Sequence, residues 1–388
     1  MPDPLSSPGR PAVQATSPVV RPAWVEIDRS RLHRNLELIR ANCPAGVQFL
    51  SVVKDNAYGH GAVEVAKAAM RHGAAALGVY TVVEALELRR AGLRDTVLLF
   101  GERESAEAPI CVHEKIRCVV TDAAMARELA AAARAQGGMA RVHVKVNTGM
   151  NRFGADWQQA VELVSDIARL PGLRVEGVMS HFAMSDELDK SFAQEQFIRF
   201  QHVLEAIAAR GIRIPLRHIC NSGGFLDLPQ AHLDMVRVGI TVYGIPPAGA
   251  LAPVEGLVPA LRLTSEVTYV KRVPAGARLS YGLRYAPEAE TTIATVPIGY
   301  ADGVPRRLGH VGGEVLIGGR RCPIAGTITM DQLLVDVGDA PVTVGDEVVL
   351  LGRQGDEEIT AAEWADRLDT IAYEIVCGIG PRVPREYT

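Results

Sequence analysis

An N-terminal (β/α)8 barrel of the TIM type, followed by a mostly β C-terminal domain, is the α/β fold that the sequence predicts, and three observations carry it. Eight short apolar runs, at 50–54, 75–80, 97–101, 117–121, 141–147, 174–182, 217–221 and 234–240, recur with helical patterns or loops between most of them, which is the alternation of a parallel barrel. After about residue 250, strands follow one another without intervening helices. The nucleotide fingerprint G-x-G-x-x-G and the P-loop motif are both absent, which disfavours the alternative, a doubly wound open sheet.

The elements follow in chain order. Pro2, Pro4, Pro8, Pro11, Pro18 and Pro22 lie among serines and small residues, so residues 1–23 are expected to form a disordered tail; they lack the apolar core of a secretory signal. The barrel is assigned to 24–250. Its first run, 24–28, alternates as a short strand that could instead pack with the C-terminal domain, and Asp28 can cap a helix whose apolar face is Leu32, Leu36 and Ile39. In the mostly β domain, 251–388, strands are expected at 261–273, 291–299, 314–324, 332–337 and 346–351. Gly318-Gly319, between Val315-Leu316-Ile317 and Arg320-Arg321-Cys322, is a two-residue hairpin signal, and Thr360 with Glu363 makes a capping box.

Composition narrows the function classes. With 388 residues, 48% hydrophobic and 22% charged, the chain can build two full cores. A net charge of −4 without a basic block leaves no footprint for nucleic acid, and no span reaches membrane length. The expected partners are small molecules or a second copy of the chain. Cys43, Cys111, Cys118, Cys220, Cys322 and Cys377 form no C-x-x-C pair and no zinc-spaced cluster, so they read as reduced core residues of a cytoplasmic protein without a metal.

The chemistry centres on 50–61, where the run Leu50, Val52, Val53 stops on Lys54 and passes to Asn56, Tyr58, Gly59, His60 and Gly61. An amine delivered to the carboxyl end of a buried strand is partly desolvated, which favours its neutral, nucleophilic form, as a Schiff-base lysine requires. The same rim receives Lys145 with Arg152, His181, Asn221 with Ser222, and Arg237 with Gly239 and Ile240. Asn221-Ser222-Gly223-Gly224 and Gly239-Ile240 could cradle a phosphate with a hydroxyl and close backbone N–H groups. Singly, each has a plainer reading: Lys54 a strand-end lysine pointing into water, His181 a structural histidine, Arg237 a salt-bridged rim arginine, Lys145 and Arg152 surface charges, Ser222-Gly223-Gly224 a turn. Jointly, a Schiff-base lysine facing a phosphate cradle is the pattern of a pyridoxal-phosphate site.

The stretch Val53-Lys54-Asp55-Asn56-Ala57-Tyr58-Gly59-His60-Gly61 resembles the cofactor-attachment signature of alanine racemases. The resemblance continues through Lys145-Val146-Asn147-Thr148-Gly149-Met150-Asn151-Arg152-Phe153-Gly154, Ser180-His181-Phe182, Asn221-Ser222, Arg237-Val238-Gly239-Ile240, Ser280-Tyr281-Gly282, Gly299-Tyr300-Ala301-Asp302-Gly303, Met330-Asp331-Gln332 and Tyr373-Glu374-Ile375. It implies a pyridoxal 5′-phosphate enzyme, a homodimer with shared active sites, that interconverts L- and D-alanine by two bases, Lys54 and Tyr281, and supplies D-alanine for peptidoglycan. Lys54 would carry the cofactor, with Tyr58, Ser222, Gly239, Ile240 and Tyr373 at its phosphate and Asn221 beside them. Arg237 would face the ring nitrogen, His181 would contact Arg237 and the catalytic tyrosine, and Arg152 would meet the phenolic oxygen and the substrate carboxylate. A carbamate on Lys145 would orient Arg152. Tyr281 would come from the other subunit, with the Met330 backbone at the substrate carboxylate and Tyr300 narrowing the entrance.

The chain departs from the family pattern at Asp55, where alanine is usual, and at Asn147, where aspartate is usual. Thr327 and Thr329 stand where arginine and a cysteine or serine are common; they are expected by the entrance and the substrate, so they bear on preference for alanine rather than on racemase chemistry. The alternatives are a broader or serine- or lysine-directed racemase, and a cofactor-binding protein made of the barrel alone. A decarboxylase of the same fold is disfavoured by Ser280-Tyr281-Gly282 and Met330-Asp331.

Overall fold

The computed structural model describes residues 21–247 and 255–388. The first strand, β1 (Ala23–Ile27), precedes a helix, Arg29–Asn42, that begins where Asp28 Oδ1 accepts the Arg31 N–H at 3.0 Å. That helix buries Leu32, Leu36 and Ile39, the expected face. The barrel strands are β2 (Gln48–Val52), β3 (Ala76–Val79), β4 (Val97–Leu99), β5 (Arg117–Val120), β6 (Ala140–Asn147), β8 (Leu173–Met179), β9 (Leu216–His218) and β10 (Met235–Val238), with a two-residue strand, β7 (Ala155–Asp156), on the end of β6.

All eight barrel strands run parallel in the order β10-β2-β3-β4-β5-β6-β8-β9. Between β9 and β10 the barrel closes by single bonds, Asp234 N–H to Arg217 O at 3.1 Å and Arg237 N–H to Cys220 O at 3.0 Å. Strands such as Val97–Leu99 are buried at every residue because side chains fill the lumen and helices cover the outside, which is why they read as unbroken apolar runs. Most end earlier than the runs suggested: β2 stops at Val52, β8 at Met179 and β9 at His218. The backbone leaves the ladder there, so Lys54, His181 and Asn221 sit on the first turns beyond the strands.

The C-terminal domain contains β11 (Leu261–Glu266), β12 (Tyr269–Val273), β13 (Thr291–Val296), β14 (Glu314–Ile317), β15 (Arg320–Pro323), β16 (Leu333–Gly338), β17 (Glu347–Gln354), β18 (Glu357–Ile359) and β19 (Arg385–Tyr387). One sheet has the order β15-β14-β17-β11-β1-β19 with β18 on β17, and a second has the order β12-β13-β16. The amino-terminal strand β1 thus lies in the C-terminal sheet, antiparallel to β11 and parallel to β19. The single strand expected over 261–273 is two strands in different sheets; the chain crosses between them at Val267 and Thr268. Gly318 and Gly319, at φ 60° and 73°, make the β14–β15 turn. Only half of the expected capping box forms: Thr360 Oγ1 accepts the Glu363 N–H, while the Glu363 carboxylate is drawn to Arg321 and Arg367. No helix among the described residues is long and apolar enough to cross a membrane.

Residues 1–20 of the expected tail lie outside the described residues, but its last three are engaged. Arg21 forks the Asp302 carboxylate with two bonds of 2.8 and 2.6 Å, and Pro22 O accepts from Ser265. The Asp302 side chain is fully buried and also accepts the Gly299 N–H. Removing one member of such a pair strands a buried charge. Arg21→Met is therefore expected to cost about 2–3 kcal/mol, below the full cost because Arg21 is partly exposed and Arg382 lies 3.6 Å from the same carboxylate. Urea unfolding of the variant measures this; an unchanged midpoint contradicts it.

Candidate active site

Lys54 stands where the chain, having left β2, enters four successive left-handed residues: Asp55, Asn56, Ala57 and Tyr58, at φ 53°, 50°, 54° and 52°. Each such non-glycine residue costs about 1 kcal/mol, so the turn persists only because bonds around it over-determine it. Ala57 N–H reaches Val53 O, and Asn56 Oδ1 accepts the Ala62 N–H. Glu84 supplies the clamp: Oε1 accepts the Asp55 N–H at 2.7 Å, and Oε2 accepts those of Tyr80 and Thr81. The half-buried Lys54 amine is thereby held 5.7 Å from the centre of the Tyr80 ring.

A cavity of about 740 Å³ opens over this turn, lined by Lys54, Tyr58, Lys145, Arg152, His181, Asn221, Ser222, Arg237, Gly239, Ile240 and Tyr373 among others. Lys145 is buried, with its amine 3.6 Å from the centre of the Phe153 ring; burial, then the charges of Arg152 and Arg237, push it down to about 7. Arg237 is wholly enclosed, and burial brings it down to about 10, so it stays a cation at neutral pH. Its donors go to His218 Nδ1 at 2.8 Å, His181 Nδ1 at 3.0 Å, and the carbonyls of Ser180 and Ile219. Burial and the Arg237 charge hold His181 well below the ordinary imidazole range, hence neutral.

One end of the cavity is a cradle. The Gly239 N–H donates to Ser222 Oγ at 3.0 Å, and a Cβ on Gly239 would lie 2.6 Å from the Tyr58 hydroxyl, so only glycine lets the backbone come this close. Ser222–Asp227 and Ile240–Tyr243 both begin here, and the first N–H groups of a helical turn have no partner within it. Asn221 spends its Oδ1 on the Gly224 N–H and the Ser185 hydroxyl, so it shapes this helix start. Burial pushes the phenols of Tyr58 and Tyr373 above the ordinary range, which keeps them as neutral O–H donors. Hydroxyls, backbone N–H groups and nearby cations suit a phosphate, and a reactive amine shares the space, so the donor set fits pyridoxal phosphate.

The other expected residues are elsewhere. Tyr281, Tyr300 and Met330 do not line the cavity; they lie on the C-terminal domain, exposed at 71%, 41% and 53%. Met330 O accepts the Ala301 N–H and Thr329 O the Tyr300 N–H, which joins Tyr300 and Met330 into one patch. Thr327, expected by the entrance, is buried beneath the Tyr281 loop. Its hydroxyl donates to Tyr281 O at 2.7 Å and accepts from His310 Nε2, while Ser280 Oγ donates to Thr327 O. Asp55 is exposed and lines the cavity beside Cys377, whose thiol burial and that carboxylate push up.

Sequence reasoning missed Glu84, although Thr81-x-x-Glu84 is a legible capping box, and it missed Thr327 as the anchor of Tyr281. It also missed two buried histidines: His143, whose only signal was a polar residue inside an apolar strand, and His218, at the end of the short strand Leu216–His218, which had none.

Comparisons with known proteins agree with this geometry. The family model described as alanine racemase, N-terminal domain, matches residues 27–247, and that for alanine racemase, C-terminal domain, matches 260–387. The chain is 46% identical to the alanine racemase of Symbiobacterium thermophilum over 95% of its own length and 97% of the relative's. It is 42% identical to alanine racemase 2 of Caldanaerobacter subterraneus subsp. tengcongensis, covering 95% of each. Among solved structures, alanine racemase from D-cycloserine-producing Streptomyces lavendulae superposes with a TM-score of 0.90 at 41% identity, over 95% of this chain and 97% of that one. A histidine racemase from Leuconostoc mesenteroides subsp. sake gives 0.87 at 26% identity, over 95% and 99%. Matched by both family models and by relatives over nearly its whole length, the chain belongs to the alanine racemase family.

Proposed function

We propose that this protein interconverts L- and D-alanine with pyridoxal 5′-phosphate held on Lys54, moving the Cα proton between Lys54 on one face and the partner subunit's Tyr281 on the other. The observation that carries the reading is the sharing of one cavity by the Lys54 amine, the Ser222–Gly239 cradle and the buried Arg237. Ser222, Gly239, Ile240, Tyr58 and Tyr373 would hold the phosphate, with Arg237 at the ring nitrogen. When bound, the cofactor withdraws electrons from the substrate Cα and so acidifies its proton. Arg237 offers only donors, which disfavours a proton on the nitrogen it faces and limits competing decarboxylation and transamination.

Racemisation needs a proton removed from one face and returned to the other, which two opposed bases do without either moving across. An ordinary phenol costs about 4 kcal/mol to ionise at pH 7, so the base opposite Lys54 requires positive charge, and Arg152 and Arg237 supply it. The exposure of Tyr281, Tyr300 and Met330, away from their own chain's cavity, supports a homodimer with shared sites. The free cysteines, five buried and Cys377 half-buried, suit a cytoplasmic enzyme, and D-alanine so formed would supply peptidoglycan. The histidine racemase neighbour favours a second reading, a racemase of other or broader specificity. Rates of the purified, cofactor-loaded enzyme on a panel of L-amino acids separate the two: alanine is expected to be fastest, and a faster basic or polar substrate overturns the assignment.

Lys145 is proposed to carry a carbamate and Arg152 to bind the substrate carboxylate, with Met330 beside it and Tyr300 at the entrance. With the amine pushed down to about 7, much of it is neutral at physiological pH and can attack carbon dioxide, forming an N–C bond and releasing a proton. Carbamate occupancy therefore rises as pH climbs through about 7 and falls below it. The product is an anion that replaces repulsion of Arg152 with a charge-assisted bond. Lys145→Ala is expected to lower turnover by about 10- to 100-fold, the worth of one such bond, with partial rescue by acetate. Labelled carbon dioxide followed by carbon NMR reads the adduct directly; a bare amine at pH 8 contradicts the claim.

A further inference from the structure

We propose that Glu176 is a remote positioning residue for Arg237 and His181, acting through the two buried histidines His143 and His218. The proposal rests on the reading of Arg237 and His181 as site residues, but the chain of contacts stands by itself. Pairing of β6 with β8 runs Val142↔Val175 and then His143↔Gly177, which leaves Glu176 as the extra residue of a bulge, a device that re-aims a side chain. Its carboxylate is held by Arg117 Nε at 2.9 Å and Arg141 Nη1 at 2.8 Å, near the starts of β5 and β6, and lies 3.8 Å from His143 Nε2. His143 Nδ1 is 2.7 Å from His218 Nε2, and His218 Nδ1 is 2.8 Å from Arg237 Nη1. Arg237 Nη2 then reaches His181 Nδ1 at 3.0 Å.

The proton positions along this chain follow from chemistry. A guanidinium only donates, so Nδ1 of both His218 and His181 must accept. The His218 proton is then on Nε2 and is given to His143 Nδ1, which puts the His143 proton on Nε2, facing Glu176. All three rings are neutral, since burial lowers each of them, while Glu176 is held well below the usual carboxylate range. The Arg237 cation and the Glu176 anion thus end a line of aligned dipoles; Arg117 and Arg141 offset part of the anion's field, and the remainder polarises each ring so that His218 Nδ1 becomes a better acceptor for Arg237. The same alignment presents the His181 Nε2–H as a donor at the cavity. Space for the relay is built in: a Cβ on Gly177 would lie 2.4 Å from His143 Nδ1.

The test uses the full-length protein with histidine labelled in nitrogen, without cofactor, and reads ring tautomers by long-range proton–nitrogen NMR at pH 7. Wild type is expected to show neutral Nε2–H rings at His143, His218 and His181. In Glu176→Leu, Arg237 still fixes both tautomers, so the His143 and His218 rings should keep their Nε2–H while their nitrogen shifts move away from wild type as the polarisation is lost, and kcat of the loaded enzyme should fall by up to about 10²-fold with KM changed less, as expected of misplacement from afar. Glu176→Gln, which keeps an acceptor for the His143 Nε2–H but not the charge, should recover part of those shifts and part of kcat. Arg141→Gln, which loosens the same carboxylate without touching the relay, should match wild type in both. If Glu176→Leu does not fold, Gly177→Ala displaces the His143 ring and should give the same spectral change. Unchanged nitrogen shifts and kcat in the folded variant, or an equal loss in Arg141→Gln, would overturn the proposal. The NMR result decides the relay even if alanine proves not to be the substrate.

Discussion

Tyr281→Phe is expected to slow racemisation by a factor of about 10² to 10⁴, the usual contribution of a single general acid–base group. The substitution removes only the phenolic oxygen, and Tyr281 lies outside its own chain's cavity, so cofactor affinity should hold. The loop should hold as well, because its bonds run through backbone: Thr327 donates to the Tyr281 carbonyl and Ser280 to that of Thr327. The loss should be one-sided. On the proposed reading Lys54 would serve the D-enantiomer and Tyr281 the L-enantiomer, so solvent deuterium should continue to enter at the face served by Lys54 while exchange at the other slows severely. Equal slowing from both enantiomers would reject two opposed bases.

Lys54→Ala is expected to be more damaging, with turnover lost by at least about 10⁴-fold, because on the proposed reading one residue would both hold the cofactor and move a proton. The cradle of Ser222, Gly239, Ile240, Tyr58 and Tyr373 does not depend on the amine, so the variant should still retain pyridoxal phosphate, though not covalently. Borohydride treatment followed by peptide mapping should mark Lys54 in wild type and nothing in the variant. A mark on Lys145, the other lysine of the cavity, would contradict the assignment.

Much of the barrel was legible because strands buried on both faces are continuous apolar runs, and Lys54, Lys145 and Arg237 stand out against them. The rim residues were placed by the same runs, although the strands end sooner, since a backbone that carries chemistry must leave its ladder. What escaped depends on register and on three dimensions. The break between β11 and β12 lies inside a continuous strand-like pattern, and the bulge at Glu176 shifts one residue with no local signature. His143 and His218 meet across 75 positions of sequence, so neither alone announced a relay. The bond from Thr327 to the Tyr281 backbone was not foreseen, because motif position carries no information on which way a side chain turns.

Each site is proposed to need the cavity of one chain and Tyr281 of another. Mixing Lys54→Ala with Tyr281→Phe, each inactive alone, and isolating the heterodimer tests it directly. One chain then offers an intact cavity and the other an intact Tyr281, so one complete site should form, and racemase activity should return to about half that of wild type per dimer. Verified heterodimers that stay as inactive as either parent would contradict the shared site.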